Sequence, residues 1–380
     1  MIVSITGSVA WGEEIRIPCA PGNPEHTLPA FNGPHSVGVR SFAWIDETRV
    51  ETASPIPTDY REVTAQVWYP ATTESTDRSA LYFPELKEML SASASLPAGE
   101  QKFVKAHGVL GNTTTNSVPS ARILGSDTPW PVILFSPGGN VSRHSQTSLA
   151  ERMASQGFVF VSMSHPYSTM DVAPVSGFSM SIDWGLDQED DQAALAADNH
   201  LADILAGDVK FVLQQLRNLG GDSDPFDGLL DLNKVGIAGH SRGGTTVGRA
   251  CASNPDIVAC AVIDNIGPDH EQETGVKPPF LTLRSPWDEE RIALLHDFLN
   301  RTGSVAYDVA LAGSNHFSCT DLPLFMHDLR VDGVEPADGI NACAKILASF
   351  FDAYLIRRIA TDDNTWERAI RSDNVTITRF

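Results

Sequence analysis

Between Leu232 and Cys251 the chain reads LNKVGIAGHSRGGTTVGRAC, and this stretch limits the fold more than any other. Residues 234–238 form a short apolar run suited to a central strand. Gly239, His240, Ser241, Arg242, Gly243 and Gly244 follow, and then small residues (Thr245, Thr246, Gly248, Ala250) that suit a helix packed close to a sheet. Gly-x-Ser-x-Gly between a strand and a helix makes a sharp turn with a strained serine, so the residues two positions to either side must lack bulk. The hydroxyl is then held clear of the backbone at a helix N-terminus, where partial positive charge favours an oxyanion. The competing explanation is a glycine-rich turn with an idle serine. The strand before it and the small-residue helix after it favour a nucleophile at Ser241.

The rest of the chain alternates strands and helices. Val37–Val50 and Glu62–Tyr69 alternate apolar and polar residues, which predicts antiparallel strands at a sheet edge. Residues 131–136 (PVILFS) and 158–164 (FVFVSMS) are apolar enough for buried strands, with a helix predicted over 144–156 between them. Residues 193–219 have the spacing of a long amphipathic helix stopping at Gly220-Gly221. Beyond the elbow, strands are predicted at 258–263, 280–283 and 304–311, and helices at 289–300 and 338–359. Such alternation over roughly 230 residues implies right-handed crossovers and a mostly parallel, doubly wound α/β sheet with antiparallel N-terminal edge strands. No 20–50-residue period, dinucleotide fingerprint or phosphate-binding loop is present. At 380 residues, 42% of them hydrophobic, the chain can build one large core, so a single domain over 1–380 is expected. Residues 1–35 read as an irregular arm, and 71–128 and 166–192 as insertions that shape a pocket.

A net charge of −21 argues against nucleic acid and anionic membranes as partners. No apolar run reaches the roughly 18 residues of a membrane span, and no basic amphipathic helix is seen. Glu13 and Glu14 stand where a signal peptide stays apolar, so a cytoplasmic protein is expected. The five cysteines show no Cys-x-x-Cys pair and read as buried thiols, with Cys319–Cys343 the one pairing left open.

A serine hydroxyl needs a base within hydrogen-bond reach. The α/β-hydrolase order is serine, acid, histidine, and the chemistry gathers at the C-terminal ends of parallel strands. Of His270, His296, His316 and His327, only His316 directly follows a strand, in a Gly-Ser-Asn-His turn. For the acid, Asp264 ends the strand AVID, while Asp288 opens a helix in Asp-Glu-Glu like an N-cap. The residues alone leave these two even. The oxyanion donors expected are the N–H groups of Arg242 and of the turn after residues 131–136. Pro137 has no N–H, and Gly139 is chosen there over Gly138. The bland alternative for this turn is simple tightness. Tyr167, Trp184 and Phe317 are candidate pocket walls, although large aromatics are more often core.

With those residues placed, the chain resembles the plasma-type (group II) platelet-activating-factor acetylhydrolases and their bacterial and fungal relatives among the α/β-hydrolases. The likeness rests on GPHSVGVRSFAW, EVTAQVWYP, ILFSPGGN, SMSHPYS, GHSRGG, AVIDNIG and GSNHFS, between about Gly33 and Phe351. The resemblance implies Asp264 as the acid, with Asp288 second, and supports Ser241, His316 and Gly139. Family members often carry a bulky apolar residue where this chain has Arg242, which also resembles the GHSRGG of chlorophyllases. Its guanidinium is expected to pair with an acid of the sheet, the alternative being a substrate carboxylate.

Together these features predict a serine esterase that acts on short-acyl, small-molecule esters through an acyl-enzyme and needs no metal or organic cofactor. A tailoring transacylase, cyclase or lactonase would use the same triad. A non-catalytic binding protein would usually lack one of its members.

Overall fold

The computed structural model of the protein describes residues 15–17, 26–96, 113–186, 190–219, 225–265, 276–360 and 363–380, with positions 98, 101 and 104. Much of the 1–35 arm and parts of both insertions, along with Cys19 and His270, lie outside the described residues.

Among the described residues, twelve strands form one sheet. Ten of them are labelled β1 (Ile15–Ile17), β2 (Ser36–Val50), β3 (Tyr60–Thr72), β4 (Trp130–Ser136), β5 (Val159–Met163), β6 (Leu230–His240), β7 (Ile257–Ile263), β8 (Phe280–Arg284), β9 (Ala306–Leu311) and β10 (Val375–Arg379). Their order across the sheet is β1-β2-β3-β5-β4-β6-β7-β8-β9-β10. The stretch from β5 to β9 is parallel. The long β2–β3 hairpin, the β3–β5 pairing and the closing β9–β10 pair are antiparallel. Short strands Val118–Pro119 and Arg122–Ile123 add to β2 and β3. The α/β-hydrolase architecture expected from the sequence is therefore present.

The core sits on both faces of the sheet. Side chains alternate along a strand with period two, so a strand buried on both faces is apolar throughout. In β4, Ile133 and Phe135 face one side and Val132 and Leu134 the other. Helices α1 (Thr147–Ser155) and α5 (Pro336–Phe351) cover the first side, with Leu149, Met153, Leu347 and Phe350 packed inward. Helices α2 (Asp191–Asn218), α3 (Arg242–Ser253) and α4 (Glu289–Asn300) cover the second through Val209, Val212, Val247, Leu295 and Phe298. A third cluster joins the two insertions: Tyr82, Phe83, Leu86 and Met89 pack with Met170, Phe178 and Met180, against Leu324 and Phe325. Among the described residues only Pro336–Ile356 is long and apolar enough to cross a membrane, and it is a core helix whose apolar side packs on the sheet.

Four details differ from expectation. The 338–359 helix ends earlier as a regular α-helix and passes into a wider π-helical turn at Asp352–Ile356. Ile15–Ile17 and His26–Thr27, within the stretch read as irregular, pair with β2 and with Thr113–Thr114 through backbone groups, which leave no side-chain period to read. Strand β10 was not anticipated, because five largely exposed residues carry little apolar signal. The fourth concerns the cysteines. Cys251 pairs with Cys260, joining α3 to β7, and Cys319 with Cys343, joining the segment after His316 to α5. Adjacent elements bring these residues together across sequence gaps of 9 and 24, which spacing alone did not reveal.

Thiol titration of the denatured, unreduced protein should therefore find at most one reactive cysteine among the five in the chain, and all five after reduction. Five without reduction would contradict both bridges.

Candidate active site

Ser241 sits between β6 and α3 with φ 53° and ψ −122°, a conformation L-residues rarely take. The glycines around it explain why the turn can close. A Cβ on Gly243 would lie 1.9 Å from the Ser136 carbonyl oxygen, one on Gly239 2.3 Å from the Gly243 carbonyl oxygen, and one on Gly244 2.6 Å from Asn265 Cβ. The turn is fixed by Ser241 N–H donating to the Ile263 carbonyl at 3.0 Å, and by the Ser241 carbonyl accepting from Gly244 N–H at 2.7 Å.

The other candidates sit at the C-terminal ends of neighbouring parallel strands. Asp264 follows β7, also at positive φ. Its Oδ1 accepts from Ser285 N–H (2.9 Å), Ser285 Oγ (2.7 Å) and Trp287 Nε1 (2.9 Å), and its Oδ2 lies 2.6 Å from His316 Nδ1. Burial works against the charge on Asp264, but the bonds from His316 and Ser285 outweigh it and hold the carboxyl well below the usual carboxylate range. A carboxylate can only accept, so Nδ1 carries the proton and Nε2 is the free basic nitrogen. The Asp264 side chain is 6% exposed and that of His316 38%, so the pair is anchored in the protein and open at its imidazole end.

The loop bearing His316 is tied down on every side. Asn315 Oδ1 accepts from Phe317 N–H and Ser318 Oγ, and Asn315 Nδ2 donates to the Leu329 carbonyl. His240, next to the nucleophile, donates from Nε2 to the His316 carbonyl at 2.7 Å, and the two rings lie 4.7 Å apart. Burial and the neighbouring His316 push the His240 imidazole down to about 4, so it is a neutral donor at pH 7. His316 is thereby held against the elbow, and Phe317 packs on its ring in a T-shaped contact with centroids 5.1 Å apart. Sequence reasoning missed His240, Ser285, Trp287 and Asn315 as supports. Their local signal was only that each lies at, or within four residues of, a strand end.

The turn after β4 lies directly on the elbow. A Cβ on Gly138 would meet Ser241 Cβ at 3.3 Å, and one on Gly139 would meet Arg242 Cβ at 3.8 Å. Asn140 N–H is engaged by the Ser168 carbonyl (2.9 Å) and Val141 N–H by the Gly138 carbonyl (3.4 Å). Pro137 has no N–H, which leaves the glycine N–H groups of this turn for a ligand. Arg242, as the first residue of α3, has no intrahelical acceptor for its own N–H. The two N–H groups chosen from the sequence thus belong to adjoining residues.

Other candidates have different employment. Asp288 caps α4, accepting from Arg291 N–H at 2.8 Å. His296 bonds Asp308, the partner of Arg284, and His327 begins a short 3₁₀ turn after Met326. The Arg242 guanidinium pairs with Asp198 of α2, a helix residue where a sheet acid was expected. Trp184 is half-buried, with its indole N–H on the Tyr167 carbonyl at 2.8 Å. Among the described residues no set of three or more His, Cys, Asp or Glu side chains is gathered as metal ligands.

The fold and this strand-end arrangement define an α/β-hydrolase. The family model for platelet-activating factor acetylhydrolase, isoform II, matches residues 20–171, so the family likeness read from the motifs is found over that part of the chain, which includes the Gly138-Gly139 turn. A probable 1-alkyl-2-acetylglycerophosphocholine esterase of the fungus Arthroderma benhamiae is 31% identical over 117 residues. That match takes in 31% of this chain and only 26% of the relative's length. A ferulic acid esterase from Streptomyces cinnamoneus superposes with a TM-score of 0.72 at 20% identity, over 93% of this chain and 99% of that one, which establishes the shared fold.

If Asp264 and not Asp288 orients His316, Asp264→Asn should lower kcat by about 10⁴-fold, the scale seen when a triad acid is neutralised, and Asp288→Asn by less than about twofold. Equal losses in steady-state ester hydrolysis would reject the assignment. Folding favours the charged form of Asp264, so its share of stability is complete above the free carboxyl's pKa of about 4 and is lost as pH falls towards the lower folded-state value.

Proposed function

We propose that the protein is a serine carboxylic ester hydrolase acting on short-acyl esters. The observation that carries this reading is an arrangement at neighbouring strand ends: the strained Ser241 lies against the Gly138-Gly139 turn, and the adjoining His240 bonds the backbone of His316, whose ring is paired with Asp264. In this reading Ser241 Oγ attacks the ester carbonyl as His316 Nε2 takes its proton, and the imidazolium returns that proton to the leaving alkoxide. Asp264 fixes the ring and stabilises its charge. The N–H groups of Gly139 and Arg242 hold the oxyanion, and water activated by His316 then releases the acyl group.

The short-acyl preference is supported by the acetyl ester in the fungal relative's name. In this reading the two insertions, joined by their apolar cluster to the segment following His316, shape the acyl pocket, since loops at strand ends set specificity on this fold. The two disulfides favour an oxidising compartment as the place of work. Trapping thiols in the protein as it leaves its native cell tests that point, and a fully reduced chain would refute it.

Hydrolysis of p-nitrophenyl esters from acetate to palmitate, by wild type and Ser241→Ala, tests the activity. Rates should peak at short chains and fall in the variant by about 10⁶-fold, the loss typical of removing a triad serine. A variant as active as wild type would exclude Ser241, and a peak at palmitate would exclude the short-acyl reading.

A further inference from the structure

A hydrogen-bonded Ser-His-Asp chain lies inside the molecule, sealed from solvent and apart from Ser241. Ser136 Oγ is 2.8 Å from His165 Nε2, and His165 Nδ1 is 2.9 Å from Asp208 Oδ2. Ser136, His165 and Asp208 are each 0% exposed, so this serine cannot meet a substrate. Asp208 is held by Arg61, whose Nε and Nη2 each reach one carboxylate oxygen at 2.6 Å, and by Arg49 at 2.9 Å. Burial opposes the charge on Asp208, but Arg61 outweighs it and holds the carboxyl far below its usual range. An ionised Asp208 only accepts, so His165 Nδ1 donates to it. The Ser136 hydroxyl bonds the other ring nitrogen, Nε2.

The position of this chain gives it a role. Ser136 is the last residue of β4, paired with Gly239 of the elbow strand and immediately preceding Pro137-Gly138-Gly139. Its carbonyl oxygen is the atom that the missing Cβ of Gly243 leaves room for. The far end of the turn is held through the same histidine. The His165 carbonyl accepts from Ser168 N–H (3.0 Å) and Thr169 N–H (2.9 Å), while His165 N–H donates to Thr169 Oγ1 at 2.8 Å. The Ser168 carbonyl in turn receives Asn140 N–H, and Asn140 Oδ1 receives Ser181 N–H at 3.0 Å. One residue therefore clamps the turn 137–140 at both ends, its ring through Ser136 and its backbone through Ser168.

We infer that His165, with Ser136 and Asp208, is a positioning device for the oxyanion turn, fixing where the Gly139 N–H points. This rests on the ester-hydrolase reading above. An oxyanion donor contributes only when aimed at the place the negative charge will occupy, so loosening the turn should weaken binding of the transition state more than that of the substrate.

The test uses the full-length protein with Ser136→Ala, which removes one hydroxyl and keeps the strand, alongside His165→Gln, which keeps a polar atom near Ser136 but breaks the link to Asp208. For p-nitrophenyl butyrate, Ser136→Ala should lower kcat by about tenfold to a hundredfold with KM within about twofold, less than the loss of a whole donor. The inhibition constant of an aryl boronic acid, whose tetrahedral adduct places an oxygen at the turn, should rise by a similar factor. Fluorophosphonate titration gives the concentration of working sites, so a loss of folded protein is separated from a slower site. Unchanged kcat and boronate affinity per titrated site in Ser136→Ala would overturn the inference, as would a loss confined to KM. A wild type without turnover on any ester would instead sink the hydrolase reading itself.

Discussion

The structure depends on a contact that only glycine permits. Gly239, Gly243 and Gly244 let the start of α3 lie on the ends of β4 and β7 at distances no side chain would allow. With the helix that close, Ser241 is forced to positive φ and its Cβ comes to rest beside Gly138. Such strain costs about 1–3 kcal/mol and persists because β6 is paired on both sides up to the turn, Gly239 with Ser136 and His240 with Ile263. The apolar layers on both sheet faces outweigh that cost many times, at roughly 1.5–3 kcal/mol for each large side chain fully buried.

From that contact the site follows strand by strand. In a parallel sheet every strand end on one edge can present a residue, and a crevice opens where the chain turns to opposite sides. Here that point lies between β4, whose successor β5 is on one side, and β6 on the other. The turn after β4 and the elbow after β6 face each other across it. Two serine–histidine–aspartate sets flank it with the same chemistry and different access. Asp264 and His316 leave an imidazole open to solvent, whereas Asp208 and His165 are closed off entirely. Access, more than residue type, separates the set proposed to react from the set proposed to hold the turn in place.

Much of this was legible in the chain. Strongly apolar strands such as PVILFS and FVFVSMS, and the long amphipathic α2, announced themselves because burial on both faces leaves an unbroken apolar run and burial on one helical stripe leaves a period. The elbow was legible because its steric demand falls on consecutive residues. The choice between Asp264 and Asp288 was not, since both follow strands; it depends on which loop turns towards His316, a three-dimensional fact. The Asp288 N-cap pattern was nonetheless a correct hint. The Cys251–Cys260 bridge, β10 and the Ser136–His165–Asp208 chain were hidden because each depends on which elements lie side by side in the sheet or on backbone pairing that any side chain accepts, whereas Cys319–Cys343 was left open as a pairing. The His-Pro-Tyr stretch after β5 was noticed for its resemblance, and its physical employment appears only when Asp208 on α2 and Ser136 on β4 come alongside.

The central claim is that Ser241 is a nucleophile held ready beside a basic imidazole and an oxyanion turn. The most direct measurement is mass spectrometry of the folded protein after brief exposure to a serine-directed fluorophosphonate. Tryptic cleavage after Lys234 and Arg242 releases the peptide VGIAGHSR, which contains Ser241 as its only hydroxyl side chain. The account predicts a single adduct on that peptide, formed in the native protein and lost when it is denatured before labelling. No adduct in folded protein, or labelling at another serine, would contradict it.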